Sequence, residues 1–546
     1  MTLSGVTIST GAANSYCIHC AGSATIILAE GTTNTLTCTQ NFSTALQPGG
    51  SGTPLTIQGT GTLKAQSGYQ SAGIGAVYDS GGGGSCGNID IEGGTIEAKG
   101  GSYSAGIGST WDRSCGDITI ASGVKCVSAT KGSGAAHCIG NGHDTCGTVT
   151  IGGVVYWDGS DYQNYGKDYI DQNELNIAFI NSGEVNIPDG KYYNVMGTKV
   201  VTSNKITIGD GATVALSNVN IQKENDYCVK CNGSATIILK YNTVNELTST
   251  GAAPYGYPAL WVGGSGTKLT IQSETDWYQF TGKLIAQGAD RCAAIGGGVH
   301  SADHTCGDIE IQGGIITATG GICASGIGSG FDGSCGIITI TSGVTRVNAK
   351  TPIHTTDNSI DCIGRGNGGS CGTVTIGGVV YWDGSDYQNN GSDYIGKYAL
   401  AYVKANKGNS SDYWTTFYNE AGHFQAAEGT QVFKAGLSGE TLTQTSISDR
   451  IVDCDKAVIL KSNSANIFLT SSNSGTTSEG GYEGNKLEGT TTTIPVILMP
   501  LRTAVTSSFK AVQYGARAAQ AQQASAAVPA QMRTPHPAAI SPSRVL

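Results

Sequence analysis

Charge is what this chain has least of: Lys, Arg, Asp and Glu together make up 13% of its 546 residues. With a net charge of -10 and no basic cluster, it lacks the positive surface that nucleic acid or an anionic membrane requires of a partner. Long apolar runs are missing too, and none approaches the roughly 20 residues that a helix needs to cross a bilayer. The opening Met1-Thr-Leu-Ser-Gly5 has neither the basic start nor the apolar stretch of an export signal. Several catalytic signatures are also missing. There is no phosphate-binding loop and no His-Glu-x-x-His. The Asn-Thr-Asp, Asp-Asp, Gly-His-Gly and Arg-Ile-Lys strings of polygalacturonase-like hydrolases do not occur, so the acid pair of glycoside hydrolysis is not visible.

What is there is repetition. Tyr16 to Leu28, with its Gly-Ser-Ala-Thr-Ile-Ile-Leu ending, returns as Tyr227 to Leu239, and Gly147 to Asn164 returns as Gly372 to Asn389. The chain reads as a tandem duplication. Within each copy a shorter unit, Ser/Thr-Cys-Gly-x-Ile/Val-x-Ile, starts at Ser85, Ser114, Thr145, Thr305, Ser334 and Ser370. Its cysteines are spaced by 29 and 31 residues in the first copy and by 29 and 36 in the second. A period of that size, built from β-formers and turn residues, marks a solenoid. The 82 glycines supply bends, and short stretches such as Ile118-Thr-Ile120 and Val124 to Ala129 alternate apolar with polar. Three such strands per turn predict an all-β fold, a right-handed parallel β-helix in two tandem copies.

The boundaries expected are 1–170 for the first copy, 171–396 for the second, 397–490 for a small β-sandwich-like module and 491–546 for a disordered tail rich in Ala, Gln, Pro and Ser. The second copy is preceded by Lys205 to Val214, which the first lacks, so upstream sequence carrying an export signal is expected.

Seventeen cysteines admit three readings. Cys17-x-x-Cys20 and Cys228-x-x-Cys231 have the spacing of a zinc site, but stacking places the two pairs about seven rungs apart, too far to share one ion. Loop disulfides are feasible for Cys138 with Cys146, Cys292 with Cys306, Cys323 with Cys335, and Cys362 with Cys371. The alternative is a ladder of reduced thiols filling the core.

After each Ile-Gly, three turns carry an aromatic ring and a carboxylate: Tyr78-Asp79, Trp111-Asp112 and His143-Asp144. Phe331-Asp332 stands at the same phase in the second copy, with His300, Asp303 and Arg365 in neighbouring turns. Equal phase on a solenoid means one face. Flat rings stack on the C–H faces of sugars while carboxylates accept hydroxyl hydrogen bonds, so these eight residues form a candidate polysaccharide-binding strip. A plainer reading is that ring and Asp residues merely punctuate exposed turns. Asp79, Asp112 and Asp144 are also a candidate Ca²⁺ column. Arg113 beside Asp112 is the one neighbour suited to a lyase base. The duplicated Tyr156 to Asp161 and Tyr381 to Asp386 read as repeat-ending turns.

The recurring Ala105-Gly-Ile-Gly108 and Ser325-Gly-Ile-Gly328, each followed by a Cys-Gly-x-Ile-Thr-Ile stretch, resemble repeats of carbohydrate-binding-domain-containing surface proteins of gut anaerobes. The likeness covers both copies. It implies a secreted or surface-attached parallel β-helix, some of whose relatives bind plant cell-wall polysaccharide and Ca²⁺. The stretch from Trp414 to Leu469 is similar to C-terminal regions of Bacteroidetes surface proteins. No catalytic residue carries over. The expected function is therefore binding of polysaccharide or host glycan in an adhesin-like role, without chemistry, with a Ca²⁺-dependent polysaccharide lyase and a structural surface spacer as the alternatives.

Overall fold

A computed structural model describes residues 1–471, apart from 80–83, 253–255, 275–280, 300–302, 353–359 and much of 405–465. His300, Cys454 and the expected tail lie outside the described residues.

The chain winds as a parallel β-helix. In the first half each turn lays down three short strands, as in Ile89–Ile91, Thr95–Lys99 and Ile107–Gly108. Each strand pairs in parallel with its counterpart one turn later: Ile89 beside Ile118, Ile96 beside Val127, and Ile107 beside Ile139. Inward positions of one turn therefore sit over those of the next, and Ile89, Ile118 and Val149 form one fully buried file. The second half repeats the device, with Leu269, Ile309, Ile338 and Val374 in one file.

The repeated cysteine motif now has a mechanical meaning. A Cβ on Gly116 would collide with the Asn88 side chain and the Gly87 backbone of the previous turn, and one on Gly147 would collide with Asp117. The polar residue after the glycine bonds the turn above. Asn88 Oδ1 accepts the Asp117 N–H at 3.0 Å, Asp117 Oδ1 accepts the Thr148 N–H at 2.7 Å, and Asp308 Oδ1 accepts the Ile337 N–H at 2.7 Å. Cys-Gly-Asn/Asp is thus a self-stacking corner.

The duplicated Tyr-Trp-Asp-Gly-Ser-Asp segments end their repeats, as the sequence suggests. Val149–Ile151 turns back antiparallel onto Val154–Trp157, and Asp158 Oδ1 accepts the N–H groups of Ser160 and Asp161, both at 2.9 Å. Asp383 does the same for Ser385 and Asp386.

One strand joins the halves. Glu174–Phe179 pairs antiparallel with Cys126–Thr130 and parallel with Tyr192–Met196, so a single 14-stranded sheet runs through both. Its alternate side chains enter different cores: Leu175, Ile177 and Phe179 pack with the first half, Ala178 with the second. Ala399–Lys404 repeats this arrangement against Arg346–Lys350. The stretch from 397 is therefore not wholly separate. Ala399–Lys404, Asn466–Ser471, His423–Ala426 and Ile451–Asp453 extend the solenoid sheet, while Asn406–Lys407, Tyr413–Phe417, Val458–Ser462, Gln431–Ala435 and Leu442–Thr445 form a second, antiparallel sheet. No helix among the described residues is long and apolar enough to cross a membrane.

Candidate functional site

The third strand is four residues long in the first two turns, Tyr16–His19 and Thr44–Gln47, and shortens to an Ile-Gly pair in the next three, where the Gly needs a backbone that other residues avoid. Gly75, Gly108 and Gly140 have φ of 144°, 138° and 117°, and a Cβ on Gly108 would strike the Gly140 carbonyl. The chain therefore bends sharply on both sides of this strand, throwing two turns outward. Tyr78, Trp111 and His143 occupy the turn after it, as the phase of the sequence indicates. Phe42, Tyr69 and Tyr103 occupy the turn before it.

These two columns meet. Ring centroids of Phe42 and Tyr78 are 5.0 Å apart, Phe42 and Tyr69 6.1 Å, Tyr69 and Tyr103 6.4 Å, and Tyr103 and Trp111 4.9 Å. Trp111 and His143 stack at 3.9 Å with 26° between planes. The result is a continuous patch of six rings running along the solenoid. Tyr69 and His143 are exposed and the other four are half-buried. Phe42 and Tyr103 hold left-handed backbone, φ 56° and 62°, which sends their rings out of the turn. Sequence phase missed Phe42, Tyr69 and Tyr103 because they precede the Ile-Gly strand; Gly68-Tyr69 and Gly101-Ser102-Tyr103, glycine followed closely by a ring, is the signal that could have found two of them.

The aspartates behave differently from the rings. Asp144 Oδ1 accepts its neighbour Thr145's N–H at 2.7 Å, and Asp112 is exposed with φ 52°. Among the described residues no three His, Cys, Asp or Glu side chains converge on one point. The Ca²⁺ column of Asp79, Asp112 and Asp144 is thus not a cage, since equal phase stacks the backbone without turning the carboxylates toward a common centre. Arg113 does not fit a lyase base. Its guanidinium donates to the carbonyls of Asp112 and Asp79 and lies 5.3 Å from the Tyr78 ring, so it clamps two turns together.

In the second half, Phe331 lies under Arg291, whose guanidinium is 5.0 Å from the ring, and Asp332 is exposed with φ 53°. Arg291 and Cys323 hold the left-handed turn positions filled by Gln70 and Tyr103 in the first half. Among the described residues these turns do not repeat the six-ring patch, although Tyr227 lies 4.7 Å from Tyr257 and 5.7 Å from Trp261 elsewhere in the second half. Asp303 is fully buried, and Arg365 serves the end of the second half. It donates to Asp361 at 2.9 Å and Tyr387 at 2.8 Å, with Trp382 3.8 Å below its guanidinium. At the matching place in the first half, His137 Nε2 meets Tyr162 Oη at 3.0 Å and its Nδ1 accepts the Asn141 N–H at 3.1 Å. Burial drives the His137 pKa down to about 4.

The six cysteines of the Cys-Gly motif form files, not loop pairs. Cys138 Sγ donates to the Ile170 carbonyl at 3.1 Å and Cys362 Sγ to Ile395 at 3.2 Å, directing both away from Cys146 and Cys371. Cys86 stacks on Cys115 at 3.2 Å, with Cys146 next, and Cys335 on Cys371 at 2.7 Å. None of the 16 described cysteines is joined to another in this structure, so the other expected loop pairs, Cys292 with Cys306 and Cys323 with Cys335, are not closed in it. The physical reason is register: the motif cysteine heads a parallel strand and faces its own copy in the next turn. The string Gly-x-Ser-x-Gly occurs at 83–87 and 368–372, yet Ser85 Oγ accepts the Ser114 N–H at 3.1 Å and Ser370 heads a two-residue parallel strand, so neither is a strand-to-helix nucleophile elbow.

No family model, curated protein or solved structure matches this chain.

Proposed function

We propose that the first half binds polysaccharide or host glycan along its ring patch, and that the protein is a secreted or surface solenoid with an adhesin-like role. The observation that carries this reading is the run of Phe42, Tyr69, Tyr78, Tyr103, Trp111 and His143 across successive turns. Turn spacing of about 4.8 Å is close to the size of a sugar ring, so an extended chain lying along the solenoid meets a ring at nearly every residue. Exposed hydroxyls such as that of Tyr69 supply polar contacts beside the apolar faces. Asp79, Asp112 and Asp144 beside the one guanidinium of Arg113 leave this face net negative, which suits a neutral glycan better than an acidic one.

A second reading has an observation of its own. Trp111 and His143 cover one face of each other, and Tyr103 packs edge-on against Trp111, as rings do when they only seal a turn. On that reading the protein is a spacer. Glycan-array binding of the whole chain followed by Trp111→Ala and Tyr69→Ala separates the two. Glycan binding predicts a loss of at least tenfold in affinity for a hit, corresponding to about 1.4 kcal/mol. An array without hits, or hits unchanged in both variants, removes the ring patch as a binding site.

A further inference from the structure

In the second half three cysteines make one file. Thr305 is bridged in parallel to Ser334, Ser334 lies beside Ser370, and Cys335 lies beside Cys371. One turn's pitch, about 4.8 Å, falls within the ~4.4–6.8 Å Cα separation that a disulfide spans. Sγ of Cys335 and Sγ of Cys371 are 2.7 Å apart, against 3.2 Å for Cys86 and Cys115 and 3.3 Å for Cys17 and Cys38. The loop partner expected for Cys371 is engaged elsewhere, since Cys362 donates to Ile395.

We propose that Cys335 and Cys371 close a disulfide between successive turns, a covalent staple across the solenoid sheet, with Cys306 as the spare thiol of the same file. The oxidant is an external disulfide, either a low-molecular-weight one or that of a thiol oxidoreductase. The Cys335 thiolate attacks one oxidant sulfur and expels the other as a thiolate. The Cys371 thiolate then attacks Cys335 Sγ, forming the new S–S bond and expelling the second oxidant sulfur. Two electrons pass to the oxidant, and the two protons lost by the cysteines end on its thiols. Cys335 and Cys371 are only 7% and 6% exposed, so the exchange takes place while the turns are still winding. Once wound, the core shields the bond from reductant.

The test is to refold the full chain in a buffer of glutathione and its disulfide, alkylate free thiols, and digest without reduction using trypsin and an Asp-specific protease. This digestion puts Cys323, Cys335, Cys362 and Cys371 on separate peptides. The expected product is 332–346 joined to 366–382, lighter by two hydrogens than the sum of the two peptides. In Cys371→Ala, with the fold checked by circular dichroism, the cross-link shifts to Cys306 with Cys335. Full alkylation of Cys335 and Cys371 in the wild-type chain, or a cross-link from Cys323 to Cys335 or from Cys362 to Cys371, overturns the proposal.

Discussion

Single residues here are chosen by the turn above and the turn below. Gly108 has a φ of 138° and no room for a Cβ against Gly140, so Gly108→Ala combines backbone strain with overpacking. It is expected to cost roughly 3 kcal/mol, read as a lower urea midpoint at unchanged slope. His137 gives a pH signature. Its folded pKa of about 4 lies below the ordinary 6.5, so the unfolded chain takes up a proton first as the pH falls. The stability it contributes is complete above about pH 6.5 and is lost between there and about pH 4. The shift is worth about 3 kcal/mol. Urea unfolding of wild type and His137→Asn at pH 7 and pH 4.5 should show that part of the acid lability removed in the variant. An identical pH slope in both would contradict the assignment. The matching place in the second half holds a charge pair, Asp361 with Arg365, and Asp361→Ala is expected to cost about 3–5 kcal/mol because it strands a half-buried guanidinium.

At the scale of elements, most of what is seen was legible. The cysteine motif, the Ile-Gly bends and the repeat-ending Tyr-Trp-Asp-Gly segments all announce turns, because corner chemistry is local and is written in consecutive residues. Joints are not local. Glu174–Phe179 and Ala399–Lys404 carry no motif, and their burial on both faces comes from a reversal of strand direction that only the assembled sheet reveals. The same limit hid Phe42, Tyr69 and Tyr103 and left the cysteines open between loop pairs and a stacked ladder: spacing along the chain locates a turn but not the direction its side chains take. The joint also yields a prediction. Ile177→Ala removes a fully buried side chain from the strand shared by both halves and should cost about 2–4 kcal/mol, with thermal unfolding of both halves shifting together.

For the whole molecule, the duplication and the ring patch point in different directions. Corners, caps and inward files recur in both halves, whereas among the described residues the six-ring patch has no full counterpart in the second, where Arg291 with Phe331 stands in one of its turns. What the halves share is architecture, and what differs is surface. All of this depends on parallel, in-register stacking of turns that lie far apart in sequence. The most direct measurement is the distance between spin labels at positions 9 and 130, linked through Thr37, Gln66 and Lys99 by four successive parallel pairings. Stacking predicts a narrow distribution centred near 19 Å, four pitches of about 4.8 Å. A broad distribution, or one centred beyond about 35 Å, would contradict it.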